Sequence, residues 1–351
     1  MKSAMRELAG CAAPQAPRVA QRRRPLTRAE CVEGILRGDR STLARAVTLI
    51  ESARDDDRAL AEQVVEDCLP HSGHSIRVGI TGVPGAGKSS VIEALGVYLV
   101  TERKQKVAVL AIDPSSQISG GSILGDKTRM TTLAASEMAF VRPSPSRGMI
   151  GGVAQRTREA MLLCEAAGYS NVLVETVGVG QSETAAHEMV DFFLLLTLAG
   201  AGDELQGIKR GVMELADLVA VNKADGANLE AAERARAEAA NALHYFPASA
   251  SGWTQRAIAC SARTGAGIGE LWECVLEFVA LTQANGAFAQ ARREQQRRWM
   301  HETIDRALRQ RFDAHPAVQS RVAALERDVT EGRATPFLAA RMLLDAYARE
   351  T

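Results

Sequence analysis

The chain is short of cysteine and histidine, six of each, and has no net charge at pH 7, with 42 lysines and arginines against 42 aspartates and glutamates. Each shortage excludes something. Cys11, Cys31, Cys68, Cys164, Cys260 and Cys274 stand far apart with no C-x-x-C pair. That spacing argues against a zinc site or a disulfide framework and suits a reducing compartment. The histidines are scattered, and His71 with His74, in a loop before the first expected strand, reads as solvated. Balanced charge sets up no overall field toward nucleic acid or an anionic membrane, so neither is expected as a partner. No apolar stretch approaches the roughly 20 residues a membrane span needs, and a cytoplasmic location is expected. Two basic clusters, Arg22 to Arg24 and Arg292 to Arg298, read as tail and solvated surface.

What is present is more telling. At 351 residues, 46% hydrophobic and 24% charged, the chain can bury a sizeable core. Gly82-Val83-Pro84-Gly85-Ala86-Gly87-Lys88-Ser89 follows the apolar run Arg77 to Thr81 and precedes a helical pattern from Ser90 to Val100. This is G-x-x-x-x-G-K-S between a strand and a helix, where glycines let successive backbone N–H groups converge on phosphate oxygens. The helix start adds its positive dipole end. Lys88 is expected on the β- and γ-phosphates, the Ser89 hydroxyl on Mg²⁺, and Ser90 among the nucleotide contacts. The bland alternative is an ordinary glycine-rich turn.

Before this loop, residues 1–26 read as a disordered tail and 27–72 as a helical segment. Thr27-Arg28-Ala29-Glu30 has capping-box spacing. Leu43, Val47 and Ile50, then Leu60, Val64, Val65 and Cys68, make amphipathic faces for packing on the nucleotide domain or a partner. From residue 73 to 282 short apolar runs alternate with helices, with strands expected at 76–82, 106–112, 139–142, 171–176, 192–198, 218–222 and 256–260. Such runs indicate an α/β fold, a mostly parallel P-loop NTPase sheet with helices on both faces, whose ligands gather at the carboxyl ends of the strands.

The polar motifs fall at those ends. Asp113 closes the second strand, and Gly125-Asp126-Lys127-Thr128-Arg129 follows a glycine-loosened stretch. These acids suit a switch that orders around Mg²⁺ and the γ-phosphate, though a solvated surface loop reads the same way. Prolines and glycines from Arg142 to Gly152 precede a helix expected from 153. Glu175, ending an apolar strand three residues before Gly178, has Walker-B spacing. It is expected to hold Mg²⁺ through water while the Gly178 N–H faces the γ-phosphate. Residues 199–209 form a candidate third mobile segment or a plain connection. Asn222-Lys223-Ala224-Asp225 directly follows a strand. The Asp225 carboxylate can accept both N–H donors on one edge of guanine, Asn222 can address the other edge, and the Lys223 stem can lie over the ring. Adenine would leave the carboxylate unpaired, at a cost of about 1–3 kcal/mol, so GTP and GDP are favoured over adenine nucleotides. Ser261-Ala262-Arg263 sits where a second guanine-contacting loop belongs.

Beyond Leu271 the pattern is wholly helical. Met300, Ile304, Leu308 and Phe312 recur every fourth residue, followed by Val318, Val322, Leu325 and Val329 and by Leu338, Met342 and Leu344. The segment 283–351 therefore reads as a helical arm for self-association.

Taken together these motifs closely resemble the G-protein chaperones of adenosylcobalamin-dependent acyl-CoA mutases, the family of MeaB, ArgK and human methylmalonic aciduria type A protein, among the metallochaperone-like P-loop GTPases. Phe140 to Gly148 and Glu175-Thr176-Val177-Gly178-Val179-Gly180-Gln181-Ser182-Glu183 look like family signatures a generic GTPase lacks. The resemblance implies switch I acids Asp113 and Asp126, the switch II acid Glu175, a third switch over 198–209, and a homodimer. It implies GTP hydrolysis that gates cofactor loading, protection and reactivation of a methylmalonyl-CoA mutase or a related isobutyryl- or 2-hydroxyisobutyryl-CoA mutase. Departures are Ala86 in the P-loop and Arg263 in place of a commoner lysine or leucine. Lys88, Asp126 and Glu175 are the expected catalytic set, with Asp126, or else Gln181, orienting the attacking water. Rival readings are a nickel- or zinc-inserting GTPase, which a His-rich tract or paired Cys/His would mark, a kinase of transport proteins, and a non-catalytic GTP-dependent scaffold.

Overall fold

The computed structural model describes residues 24–52, 54–112, 130–142, 150–176, 182–200, 210–247 and 249–349. Asp113, Asp126, Gly178, Gln181, residues 201–209 and most of the signature from Phe140 to Gly148 lie outside them.

The apolar runs form the expected strands: β1 (Ile76–Gly82), β2 (Val107–Ile112), β3 (Ala139–Arg142), β4 (Asn171–Thr176), β5 (Phe192–Leu198), β6 (Leu218–Asn222) and β7 (Arg256–Ala259). They make one sheet in the order β3-β2-β4-β1-β5-β6-β7, with every neighbouring pair parallel. Because β1 lies between β4 and β5, the chain leaves it toward one edge and later fills the other. The crevice at the carboxyl end of β1 is therefore where a ligand fits. Register brings the motifs to that end, with Ile80 opposite Glu175, Gly82 opposite Leu196, and Leu198 opposite Asn222.

Alternation along each strand sorts the core into two layers. Val78, Ile80, Val109, Leu173, Leu194 and Leu196 pack with Ile92, Leu95 and Leu99 of α4 (Lys88–Thr101) and with Trp272 and Phe278 of the helix 268–284. Ala108, Leu110, Val172, Val174 and Phe193 pack on the opposite side. There they meet three N-terminal helices, α1 (Arg28–Leu36), α2 (Arg40–Glu51) and α3 (Asp55–Cys68), together with the helix 150–166. The capping box at Thr27 forms in full, with the Glu30 N–H donating to the Thr27 hydroxyl at 3.3 Å and the Thr27 N–H to the Glu30 carboxylate at 2.8 Å.

The remaining helices are α5 (Thr131–Ala135), α6 (Ile150–Ala166), α7 (Ser182–His187), α8 (Arg210–Leu215), α9 (Leu229–Leu243), α10 (Ile268–Ala284), α11 (Ala287–Ala314), α12 (Pro316–Thr330) and α13 (Pro336–Arg349). Two of the longer ones differ from the sequence reading. Helix α6 starts at Ile150 and takes in Gly151 and Gly152, expected to lie outside it. Glycine's cost in a helix is backbone entropy, about 1 kcal/mol each against alanine, too little for two of them to stop a helix of 17 residues. The cluster Arg292 to Arg298 on α11 is not uniformly solvated. The Arg292 guanidinium, 15% exposed, grips Asp191 at 2.7 Å and 2.8 Å and donates to the carbonyls of Gly73 and Ser75, which fastens the C-terminal arm to the amino ends of β1 and β5. An arginine buried this far needs its charge matched, and Asp191 supplies the match.

Candidate functional site

The turn after β1 is built for close approach. Gly82 has φ +154°, and a Cβ there would lie 2.3 Å from the Leu196 carbonyl oxygen. Gly87 has φ +87°, and a Cβ there would lie 2.6 Å from the Asn222 amide nitrogen. Only glycine fits both places, so the loop can press against β5 and β6. Pro84 and Gly85 are exposed, Val83 and Gly87 half-buried, Ala86 buried and Ser90 exposed.

Lys88 and Ser89 open α4 beneath this loop. The Lys88 ammonium folds back onto the loop, donating to the Gly82 carbonyl at 2.8 Å and the Val83 carbonyl at 3.3 Å. Burial holds its pKa below the ordinary lysine value, and the carboxylates of Glu175 and Glu183 pull it back up. The Ser89 hydroxyl donates to Glu175 Oε1 at 2.8 Å, and both residues are buried. Glu175 is there because β4 lies beside β1, and β4 is braced by the Thr176 hydroxyl donating to that of Thr81 at 2.8 Å. A hydroxyl and a carboxylate in contact at the start of a helix form a hard-oxygen donor pair that suits Mg²⁺.

The second half of the site stands at the ends of β6 and β7. Asn222, 2% exposed, donates from Nδ2 to the Ala86 carbonyl at 2.8 Å and accepts the Ala262 N–H on Oδ1 at 3.2 Å. Expected to address a guanine edge, it makes its described hydrogen bonds to the protein, so that it ties the phosphate loop to the segment after β7. Lys223 follows in the left-handed conformation, φ +63°, with its carbonyl accepting from Asn228 Nδ2 at 2.8 Å. Such a backbone is uncommon for a residue with a Cβ and is held here by its surroundings. Asp225 accepts from the buried Ser261 hydroxyl at 2.5 Å and is ion-paired with Arg263. The Cys260 thiol, behind this cluster, is pushed up to about 12 by burial and stays protonated at neutral pH.

The structure thus brings Lys88, Ser89 and Glu175 into one group and Asn222, Asp225, Ser261, Ala262 and Arg263 into another, joined through Asn222 to Ala86. The switch acids Asp113 and Asp126 and the Gly178 amide lie outside the described residues. Glu183, quoted above only as the end of a signature, is 5% exposed on α7, and its charge acts on Lys88. Its only sequence signal is position, eight residues after the strand-ending acid.

Comparison with known proteins points to one family. The family model described as methylmalonyl Co-A mutase-associated GTPase MeaB matches residues 43–317. The GTPase ArgK of Escherichia coli is 49% identical over 279 residues, covering 80% of this chain and 84% of the relative. The mitochondrial methylmalonic aciduria type A homolog of Mus musculus is 44% identical over 324 residues, covering 90% of this chain and 78% of the relative. A crystal structure described as a LAO/AO transport system kinase superposes with a TM-score of 0.71 at 38% identity, covering 91% of this chain and 96% of that one. With a G-x-x-x-x-G-K-S loop, an N-K-x-D loop tied to it and a family model spanning most of its length, the chain belongs to the MeaB family of mutase-associated P-loop GTPases.

Proposed function

We propose that the chain binds GTP with Mg²⁺, hydrolyses it to GDP and phosphate, and uses the nucleotide state to gate adenosylcobalamin loading, protection and reactivation of a cobalamin-dependent acyl-CoA mutase. The observation that carries the nucleotide reading is the Asn222 brace. It couples the loop that cradles phosphates to the loop whose carboxylate selects the base, so both ends of one nucleotide are addressed by a single rigid unit. Gly82 to Ser90 would supply the phosphate cradle, and Asp225 with the main chain of Ser261 to Arg263 the base contacts. Ser89 would hold Mg²⁺ directly and Glu175 through water, joined by Asp113 and Asp126. Bound there, the ion neutralises charge on the β- and γ-phosphates. Lys88 and the loop amides stabilise the charge that develops on the transferred group.

Asp126 would orient the attacking water. Turnover of the isolated protein is then slow and rises when a partner orders the switches. Asp126→Asn is expected to lose most of the partner-stimulated rate, and an unchanged stimulated rate would reassign the role.

The client reading rests on the family and on the names of its relatives. Self-association through 283–351 is supported by apolar side chains the single chain leaves uncovered. Met300, Ile304 and Leu308 on α11 are 53%, 46% and 53% exposed, and Phe337 on α13 is 88% exposed. Among the described residues no helix is long and apolar enough to cross a membrane.

Base selection is tested by calorimetry with GTP and ATP on the parent and on Asp225→Asn. The parent is expected to prefer GTP. The variant should lose roughly 10- to 100-fold in GTP affinity, the cost of unpaired polar groups, and gain affinity for xanthosine triphosphate, whose C2 carbonyl can accept from the new amide. Equal binding of GTP and ATP by the parent would remove the assignment. Retention of a mutase subunit on the immobilised protein with a non-hydrolysable GTP analogue, but not with GDP, checks the client.

A further inference from the structure

Both oxygens of the Asp225 carboxylate are engaged within the chain. Oδ2 accepts from the Ser261 hydroxyl at 2.5 Å, and Oδ1 is ion-paired with the Arg263 guanidinium. The two partners are unlike. Ser261 is fully buried, and its oxygen also accepts the Thr264 N–H at 3.2 Å, so it is a fixed part of the loop. The Arg263 side chain is 73% exposed, against 17% for Asp225, and passes beside Gly226, where a Cβ would sit 3.7 Å from its Nη2. It is anchored at its tip and free along its stem.

The chemistry of that tip matters. A guanidinium presents adjacent N–H donors on one planar N–C–N unit and no acceptor. Guanine offers the same pattern on the edge that carries N1–H and the exocyclic amine. Adenine does not. The oxygen that guanine needs is therefore held by a group that imitates guanine.

We propose that Arg263 is a built-in stand-in for the base. It occupies the Asp225 carboxylate while the site is empty, is displaced when a guanosine nucleotide enters, and returns as the base leaves, so that it sets guanine-nucleotide affinity and release rate. This rests on the reading of Asp225 as the guanine acceptor. Because the arginine of the competing pair is largely exposed, its effect is modest, about two- to fivefold. Rapid exchange is the consequence, since the departing base leaves behind a carboxylate that is neutralised at once.

The test uses the full-length protein and Arg263→Leu, which keeps apolar bulk but removes the charge and the donors. Affinity and dissociation rate for GDP are read by displacement of a fluorescent GDP analogue, with ADP by competition as the base control and thermal unfolding to verify the fold. Arg263→Leu is expected to bind GDP two- to fivefold more tightly, chiefly through slower release, with ADP unchanged. Raising salt should narrow the gap between variant and parent, because screening weakens the Arg263–Asp225 pair only in the parent. Weaker or unchanged GDP binding in the variant, or GDP and ADP affinities that move together, would overturn the proposal. A parent with no preference for GDP over ADP would overturn the base-reading assignment and the stand-in with it. A parent that prefers GDP but gains nothing from losing Arg263 would overturn the stand-in alone.

Discussion

Lys88→Ala is expected to lower GTP turnover by about 100- to 1,000-fold, the loss that follows deletion of one preorganised donor to developing charge. The Lys88 ammonium donates to the Gly82 and Val83 carbonyls, at the start of the phosphate loop. Burial lowers its pKa, and the carboxylates of Glu175 and Glu183 oppose that shift. Alanine removes the charge and leaves the backbone cradle, so nucleotide affinity should fall less than turnover. Single-turnover hydrolysis at saturating GTP, with calorimetry of GDP binding alongside, separates the two. Turnover within a few-fold of the parent would mean that the loop amides and the metal suffice.

The second large effect lies far from the nucleotide. Glu165→Gln is expected to destabilise the protein by about 3–5 kcal/mol, the cost of leaving a buried charge without its partner. Glu165, near the end of α6, accepts from Arg77 Nε at 2.7 Å and Nη2 at 2.9 Å, from the Gly73 N–H at 2.7 Å and from the Ser75 hydroxyl. The Glu165 side chain is 1% exposed and that of Arg77 13%. Arg77 is the second residue of β1, and its N–H donates to Asp191 at 2.8 Å, the residue that Arg292 of α11 also grips. One network thus pins α6, β1, β5 and the C-terminal arm together.

This effect carries a pH signature. Burial alone would raise the Glu165 pKa above its ordinary value of 4.5, but Arg77, Ser75 and the Gly73 N–H outweigh it and hold the value below. A carboxylate depressed in the folded state contributes stability that is fully present above its unfolded pKa and is lost as the pH falls through the folded one. The gap between parent and Glu165→Gln should therefore be widest at neutral pH and shrink once the pH drops below 4.5. Urea unfolding at several pH values measures it. A gap that does not change with pH would show that the variant acts through packing rather than charge.

Much of this molecule was legible in short stretches of chain. The seven strands were readable because a parallel sheet covered on both faces demands continuous apolar runs, as in Phe192 to Leu196, where every residue is buried. The capping box at Thr27 and the phosphate loop were readable for a related reason, since each is made by backbone groups of neighbouring residues. Three short helices, α5, α7 and α8, escaped because five or six residues do not complete enough turns to show a period. Arg292 escaped because a cluster of arginines looks alike whether its members face water or, like this one, a buried aspartate.

The sequence by itself determined the phosphate loop, the strand order of appearance and the chemical type of each residue at the site, because these depend on dihedral freedom and apolar spacing over a few residues. Only the tertiary structure decided which distant groups meet: Asn222 with Ala86, Ser89 with Glu175, Arg77 with Glu165, Arg263 with Asp225. Those pairings follow from the parallel order that sets β1 between β4 and β5 and brings the strand ends to one edge. A buried polar atom takes whichever partner the fold carries to within 3 Å, and distance along the chain holds no record of that choice.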